Sequence, residues 1–142
     1  MKILERTITT TAPPEKVFPY LVDFTNAPEW DAGTVSCTRL SGDGGVGTRY
    51  RNVSKFAGRE VELLYTTEKV EEPTFVIKGG NDTTTSEDTI VVRPKGTGSE
   101  ISYTAVFTFA GVGRVLEPFL GPFLNKLGDA VVPSMKTALD RL

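Results

Sequence analysis

The sequence predicts an α+β fold: a seven-stranded antiparallel sheet, two short helices after the first strand, and one long C-terminal helix. Three observations predict it. An isolated β-branched, alternating run opens the chain at residues 2–10. Between residues 34 and 110, six further runs are separated by short clusters of Gly, Pro, Asn and Asp. After Gly113 the apolar residues return at helical spacing. The 142 residues suit one domain, residues 1–142, with a core built without disulfides or metals.

The elements follow in order. In "KILERTITT" (2–10), Leu4, Arg6 and Ile8 alternate with Ile3, Glu5 and Thr7, the period of a strand. In "APPEKVFPYLVDF" (12–24), Pro13 and Pro14 suit a helix start, where a missing N–H costs nothing, and Val17, Phe18, Leu21 and Val22 recur at helical spacing. Pro19 limits the regularity of that helix, and Pro28 stops a second short turn around residues 24–29. Strands are predicted at 34–41, 46–56, 59–71, 73–79, 84–94 and 99–110. The punctuation is "SGDGGVG" (41–47), "AGR" (57–59), "EEP" (71–73), "KGGND" (78–82) and "RPKGTGSE" (93–100). Links this short join antiparallel neighbours, because a parallel return needs a crossover of about a dozen residues. The last element steps by four through Phe119, Phe123, Leu127, Val131, Met135 and Leu139, flanked by Leu116, Leu120 and Leu124. Pro118, Pro122 and Pro133 are expected to kink or interrupt it, with a bend near Gly121-Pro122.

Composition excludes several functions. No apolar run approaches the roughly 20 residues of a spanning helix, and "ILERTITTT" lacks a secretory apolar core, so a soluble cytoplasmic protein without stable membrane insertion is expected. With 16 Lys+Arg against 18 Asp+Glu, net charge offers no attraction for a phosphate backbone, and nucleic acid is not an expected partner. There is no His, which removes the commonest general base and metal ligand together; no metal and no cofactor is expected. Cys37, the single cysteine, reads as a small strand residue. "SGDGGVG" lacks the Lys-Ser/Thr ending of a phosphate loop and reads as a hairpin turn.

The strand alternation points to a cavity. The last strand sets Ile101, Tyr103, Ala105, Phe107 and Phe109 on one face, and the third sets Val61, Leu63, Tyr65 and Thr67 against glutamates. The second has an inner row of Tyr50, Asn52, Ser54 and Phe56. A sealed core favours Val, Ile and Leu, whereas a ligand pocket mixes apolar walls with a few hydroxyls and amides. Each tyrosine alone also suits the edge of an ordinary core.

The order of elements, with "TTTAPPEKVFPYLVDFTNAPEW" (9–30), "VGTRY" (46–50), "RPKGTGSEISY" (93–103) and "LGDAVVPSMKTALDRL" (127–142), resembles the helix-grip fold of the START-like (SRPBCC) superfamily. Within it the match is to the small polyketide cyclase/dehydrase and lipid transport proteins. The resemblance covers essentially the whole chain and rests on scaffold motifs. It implies a curved seven-stranded sheet gripping the C-terminal helix, with a cavity between them for a lipophilic molecule such as a lipid, a polyketide or an isoprenoid-like compound. Trp30, the only indole, would then stand at the cavity entrance. The ligand-binding set read from the inner faces and the helix is Trp30, Tyr50, Asn52, Leu63, Tyr65, Tyr103, Ala105, Phe107, Phe123 and Leu127. Ala105, the one small residue of its row, is expected to leave space for ligand.

Two readings of the function follow, a carrier or sequestering protein and a cyclase, aromatase or dehydratase using the same cavity. A third is an interaction or regulatory module with a collapsed cavity and a protein partner. No catalytic residue is assigned. Ser86 and Asp88 share the face of Ile90 and Val92, so Asp88 is either a strand-end surface residue or a functional carboxylate.

Overall fold

The computed structural model describes residues 1–56 and 58–142. Ala57, part of the expected "AGR" turn, lies outside them. The elements are β1 (Lys2–Thr10), α1 (Pro14–Val22), a 3₁₀ turn (Phe24–Asn26), α2 (Ala27–Trp30), β2 (Thr34–Ser41), β3 (Arg49–Phe56), β4 (Arg59–Glu71), β5 (Thr74–Gly80), β6 (Thr84–Lys95), β7 (Gly98–Phe109) and α3 (Val112–Asp140). This is the α+β helix-grip arrangement.

All seven strands form one antiparallel sheet in the order β1-β7-β6-β5-β4-β3-β2. Strands β2 to β7 are a meander whose short links force neighbours to pair. β1 joins the far side by pairing with β7, Leu4 opposite Ala105 and Ile8 opposite Ile101. The segment carrying α1 and α2 therefore bridges the two edge strands. Register shifts in β2 and between Thr67 and Lys69 of β4 insert the bulges that bend strands. The β2–β3 turn places Gly42 at φ 92°, where a Cβ would meet Thr48 Oγ1 at 2.6 Å, so this hairpin demands glycine.

Burial follows the predicted alternation. On β6, Ser86, Asp88, Ile90 and Val92 are all buried, and on β7 so are Ile101, Tyr103, Ala105 and Phe109. Val17 and Leu21 of α1 and Phe24, Ala27 and Trp30 beyond it are buried in the same core.

α3 lies along β1, tied at three levels. The N-terminal amine of Met1 pairs with Glu117 at 2.7 Å, Arg6 with Asp129 at 3.0 Å, and the Thr10 hydroxyl donates to Asp140 Oδ1 at 2.5 Å. The spacing agrees in length. From Glu117 to Asp140 a helix rises roughly 35 Å at about 1.5 Å per residue. From Met1 to Thr10 a strand advances about 30 Å at about 3.3 Å per residue. Gly128 makes the crossing close: a Cβ there would sit 3.1 Å from the Arg6 guanidinium carbon.

The expected interruption of α3 is corrected: it continues as one helix, Val112–Asp140, through Pro118, Pro122 and Pro133. Each proline removes one backbone donor, but packing and the ties to β1 hold the helix together on both sides. The apolar row is also not one buried stripe. A step of four residues turns about 400°, so the row drifts about 40° per step around the helix. Val131, Met135 and Leu139 are buried, whereas Phe119 is 71% exposed and Phe123 48%. The first half of α3 thus turns an apolar face outward.

Candidate functional site

A cavity of about 350 Å³ lies between the inner faces of β3, β4, β6 and β7 and the first half of α3. That volume falls in the range of small-molecule sites. Leu63, Phe107, Leu116, Leu120 and Leu127 supply apolar walls. Val112 and Leu116 line the cavity yet are 70% and 47% exposed, so it opens to solvent beside the start of α3.

Five of the ten sequence-derived positions line this space: Leu63, Tyr65, Tyr103, Phe107 and Leu127. The other five lie elsewhere. Trp30 is fully buried, not at an entrance; its ring meets Phe24 at 6.1 Å and 67° and Tyr103 at 6.1 Å and 72°. The expectation failed because the short helix α2 turns the indole inward, with its Nε1 left without a hydrogen-bond partner among the described residues. Tyr50 is equally buried against Phe24, with ring centroids 5.8 Å apart. Asn52 is buried beside the cavity, accepting from Ser54 Oγ at 2.5 Å, and it is Ser54 that lines the wall. Phe123, 48% exposed, packs on Phe56 with ring centroids 6.5 Å apart and does not line the cavity. Ala105 is fully buried between Leu4 of β1 and Asp88 of β6 in the sheet and does not line the cavity, so its small size leaves no space for ligand there. Ala105→Phe is therefore expected to destabilise the fold by roughly 1–3 kcal/mol, as overpacking does, read as a lower denaturant midpoint.

The polar end of the cavity centres on Asp88, which is 5% exposed in the middle of β6. The strand-end surface reading is thereby excluded. Ser86 Oγ donates to Asp88 Oδ1 at 2.6 Å, and the Tyr103 hydroxyl donates weakly to Oδ2 at 3.4 Å. Burial pushes the Asp88 carboxyl up to about 7; the Ser86 and Tyr103 hydroxyls oppose the shift and the charge of Asp31 adds to it. Tyr65 and Tyr103 are raised well above the ordinary phenol range, first by burial and then by Asp88. The Tyr65 ring lies over Gly79, where a Cβ would come within 2.5 Å of its carbons; glycine is what lets the ring settle there.

Asp31 reaches the same cavity from the end of α2. It accepts from the Gly33 N–H at 3.1 Å and the Thr34 hydroxyl at 2.9 Å, and burial raises its carboxyl despite both donors. Nothing in the sequence marks Asp31 as a wall residue. By contrast, the signal for Asp88 was its place on the apolar half of its strand. Cys37 is raised to about 11 by burial, so its thiol stays protonated and poorly nucleophilic. Among the described residues no helix is long and apolar enough to cross a membrane.

The geometry has parallels. Solved structures similar to this chain include TTHA0849 from Thermus thermophilus, 19% identical, covering 97% of both chains with a TM-score of 0.81. The Zhui aromatase/cyclase from Streptomyces sp. R1128 is 13% identical over 99% of this chain and 94% of its own, TM-score 0.78. A START superfamily protein from Mycobacterium smegmatis is 16% identical over 98% and 94%, TM-score 0.75. At such identities the likeness concerns the fold. No curated protein matches the sequence. The sequence pattern of one family matches the whole chain, residues 1–142, and so the chain belongs to the family described as polyketide cyclase / dehydrase and lipid transport.

Proposed function

We propose that residues 1–142 form one ligand-binding domain that holds a small lipophilic molecule, as a carrier or sequestering protein of the cytoplasm. The observation that carries this reading is the cavity itself. Leucine, phenylalanine and valine side chains line much of it, and Ser86, Asp88 and Tyr103 form a hydrogen-bonded polar group in its wall. Apolar walls supply affinity by desolvation and a few polar groups fix orientation. The volume of about 350 Å³ also argues against a collapsed interaction module.

The test is native mass spectrometry of freshly purified protein, followed by organic extraction and titration with Nile red, a neutral lipophilic dye. Bound small molecules or saturable dye binding are expected. An empty protein that does not take up the dye would overturn the reading.

A second reading, a cyclase or dehydratase, is favoured by one observation: Asp88, Ser86 and Tyr103 form a hydrogen-bonded group inside the cavity. A carboxyl near 7 exchanges a proton at neutral pH, which suits acid–base steps on a carbonyl compound held in one folded shape. Turnover of a polyketide-like substrate that is lost in Asp88→Asn would favour this reading over the carrier.

A further inference from the structure

Resting on the ligand-binding reading, we infer that the cavity selects a lipophilic amine, whose ammonium group is seated against Asp88 between the rings of Tyr65 and Tyr103. Three observations lead to this. The two acidic side chains of the cavity, Asp31 and Asp88, take part in none of the six ion pairs among the described residues. Asp88 is nonetheless 95% removed from solvent, given its exposure of 5%. A buried carboxylate without a counter-charge is costly, and a ligand cation relieves that cost.

Second, the protein leaves acceptor capacity open. An ionised carboxylate has about four lone-pair sites. Asp88 receives one short bond from Ser86 and one long contact at 3.4 Å from Tyr103. Third, Tyr65 lines the same wall, is 7% exposed and feels the neighbouring Ser86 hydroxyl, which is already committed to Asp88; its own hydroxyl makes no well-formed hydrogen bond among the described residues. Two tyrosine rings beside a carboxylate form the surroundings in which an ammonium gains both Coulomb and cation–π attraction.

The other charges facing the cavity fit this assignment. Lys55 and Arg59 line it too, but both are exposed at the β3–β4 end, where water screens them. Glu87, next to Asp88 on β6, and Asp31 both act to keep the Asp88 proton on, so neither favours an anionic guest. A fatty-acid carboxylate at the polar end would meet the like charge of Asp88, with Lys55 and Arg59 exposed at the β3–β4 end. A plain alcohol would make the hydrogen bond without the charge attraction.

The experiment is displacement of Nile red from the full chain at about pH 8, where Asp88 is mostly ionised and an alkylamine is still protonated. The competitors are dodecylamine, dodecanol and dodecanoate, each used below its micelle concentration. Dodecylamine is expected to bind at least about tenfold tighter than dodecanol, and dodecanoate weakest. In Asp88→Asn the amine should fall to the level of the alcohol, while the alcohol keeps its affinity. Tyr103→Phe, which keeps the ring, should preserve the preference for amine. Dodecanol or dodecanoate matching the amine on the parent protein would overturn the inference, and so would a preference that survives Asp88→Asn. These parent-protein rankings stand whether or not a variant folds. If the protein is empty and Nile red does not bind, the ligand-binding reading fails and this inference falls with it; if the dye binds but the amine holds no advantage, only the inference fails.

Discussion

Trp30→Ala is expected to lower the unfolding free energy by roughly 3–5 kcal/mol, the range for removing a large aromatic from a closed core. Trp30 is fully buried, and its ring joins α2 to Phe24 of the 3₁₀ turn on one side and to Tyr103 of β7 on the other. Truncation leaves a void between them in a closed part of the core. Trp30→Phe is expected to cost less. It keeps part of the aromatic packing and removes an indole N–H that is buried without an acceptor among the described residues. Denaturant midpoints of the two variants check this. A loss within about 1 kcal/mol for Trp30→Ala would mean that the indole does not hold the core together.

Asp88→Asn is expected to stabilise the protein at about pH 8, by an amount on the order of 1–3 kcal/mol. The sign follows from the direction of the shift. The carboxyl titrates at about 7 when folded, against the ordinary 3.8. Between those values the folded protein keeps a proton that the unfolded chain releases. The contribution is therefore fully present below about pH 4, is lost as pH rises toward 7, and is flat above. Asn cannot ionise, so it escapes that loss. Asp31, also raised, works in the same direction, while Glu117 and Asp140, both lowered by hydrogen bonds and neighbouring cations, work in the opposite one. Comparing the variant with the parent isolates Asp88 from these. Chemical denaturation across pH should show the two converging near pH 4 and separating above it. An Asp88→Asn protein less stable than its parent at about pH 8 would contradict the buried, unpaired carboxylate. A residue whose charge weakens the fold is characteristic of a site kept for binding or chemistry.

Much of the architecture was legible from local chemistry. β1, β2 and β4 begin and end where alternation and turn residues put them, at 2–10, 34–41 and 59–71, and the remaining strands differ by one to three residues at an end. This works because a strand's two faces are written with a period of two, and a hairpin turn needs glycine or proline at particular backbone angles. Both signals lie within a few neighbouring residues. The inner faces were readable for the same reason: Tyr65, Tyr103, Leu63 and Phe107 all point to the side the alternation assigns, and Asp88 shares it.

Which inner-face residues meet a cavity and which meet packed protein was decided only in three dimensions. Tyr50 and Ala105 carry the same alternation signal as Tyr65 and Phe107, yet the first pair is sealed and the second lines the space. The difference depends on what covers each part of the sheet. The bridge through α2 carries Phe24 and Trp30 onto one region, and the first half of α3 stands over another with its apolar face partly outward. No local pattern encodes that placement. It follows from long-range ties such as Arg6 to Asp129 and Thr10 to Asp140, between residues more than a hundred positions apart. Trp30 shows the consequence most directly. Its neighbours Asn26, Pro28, Glu29 and Asp31 are loop chemistry, but the short helix they form turns the indole into the core and brings Asp31 to the cavity wall.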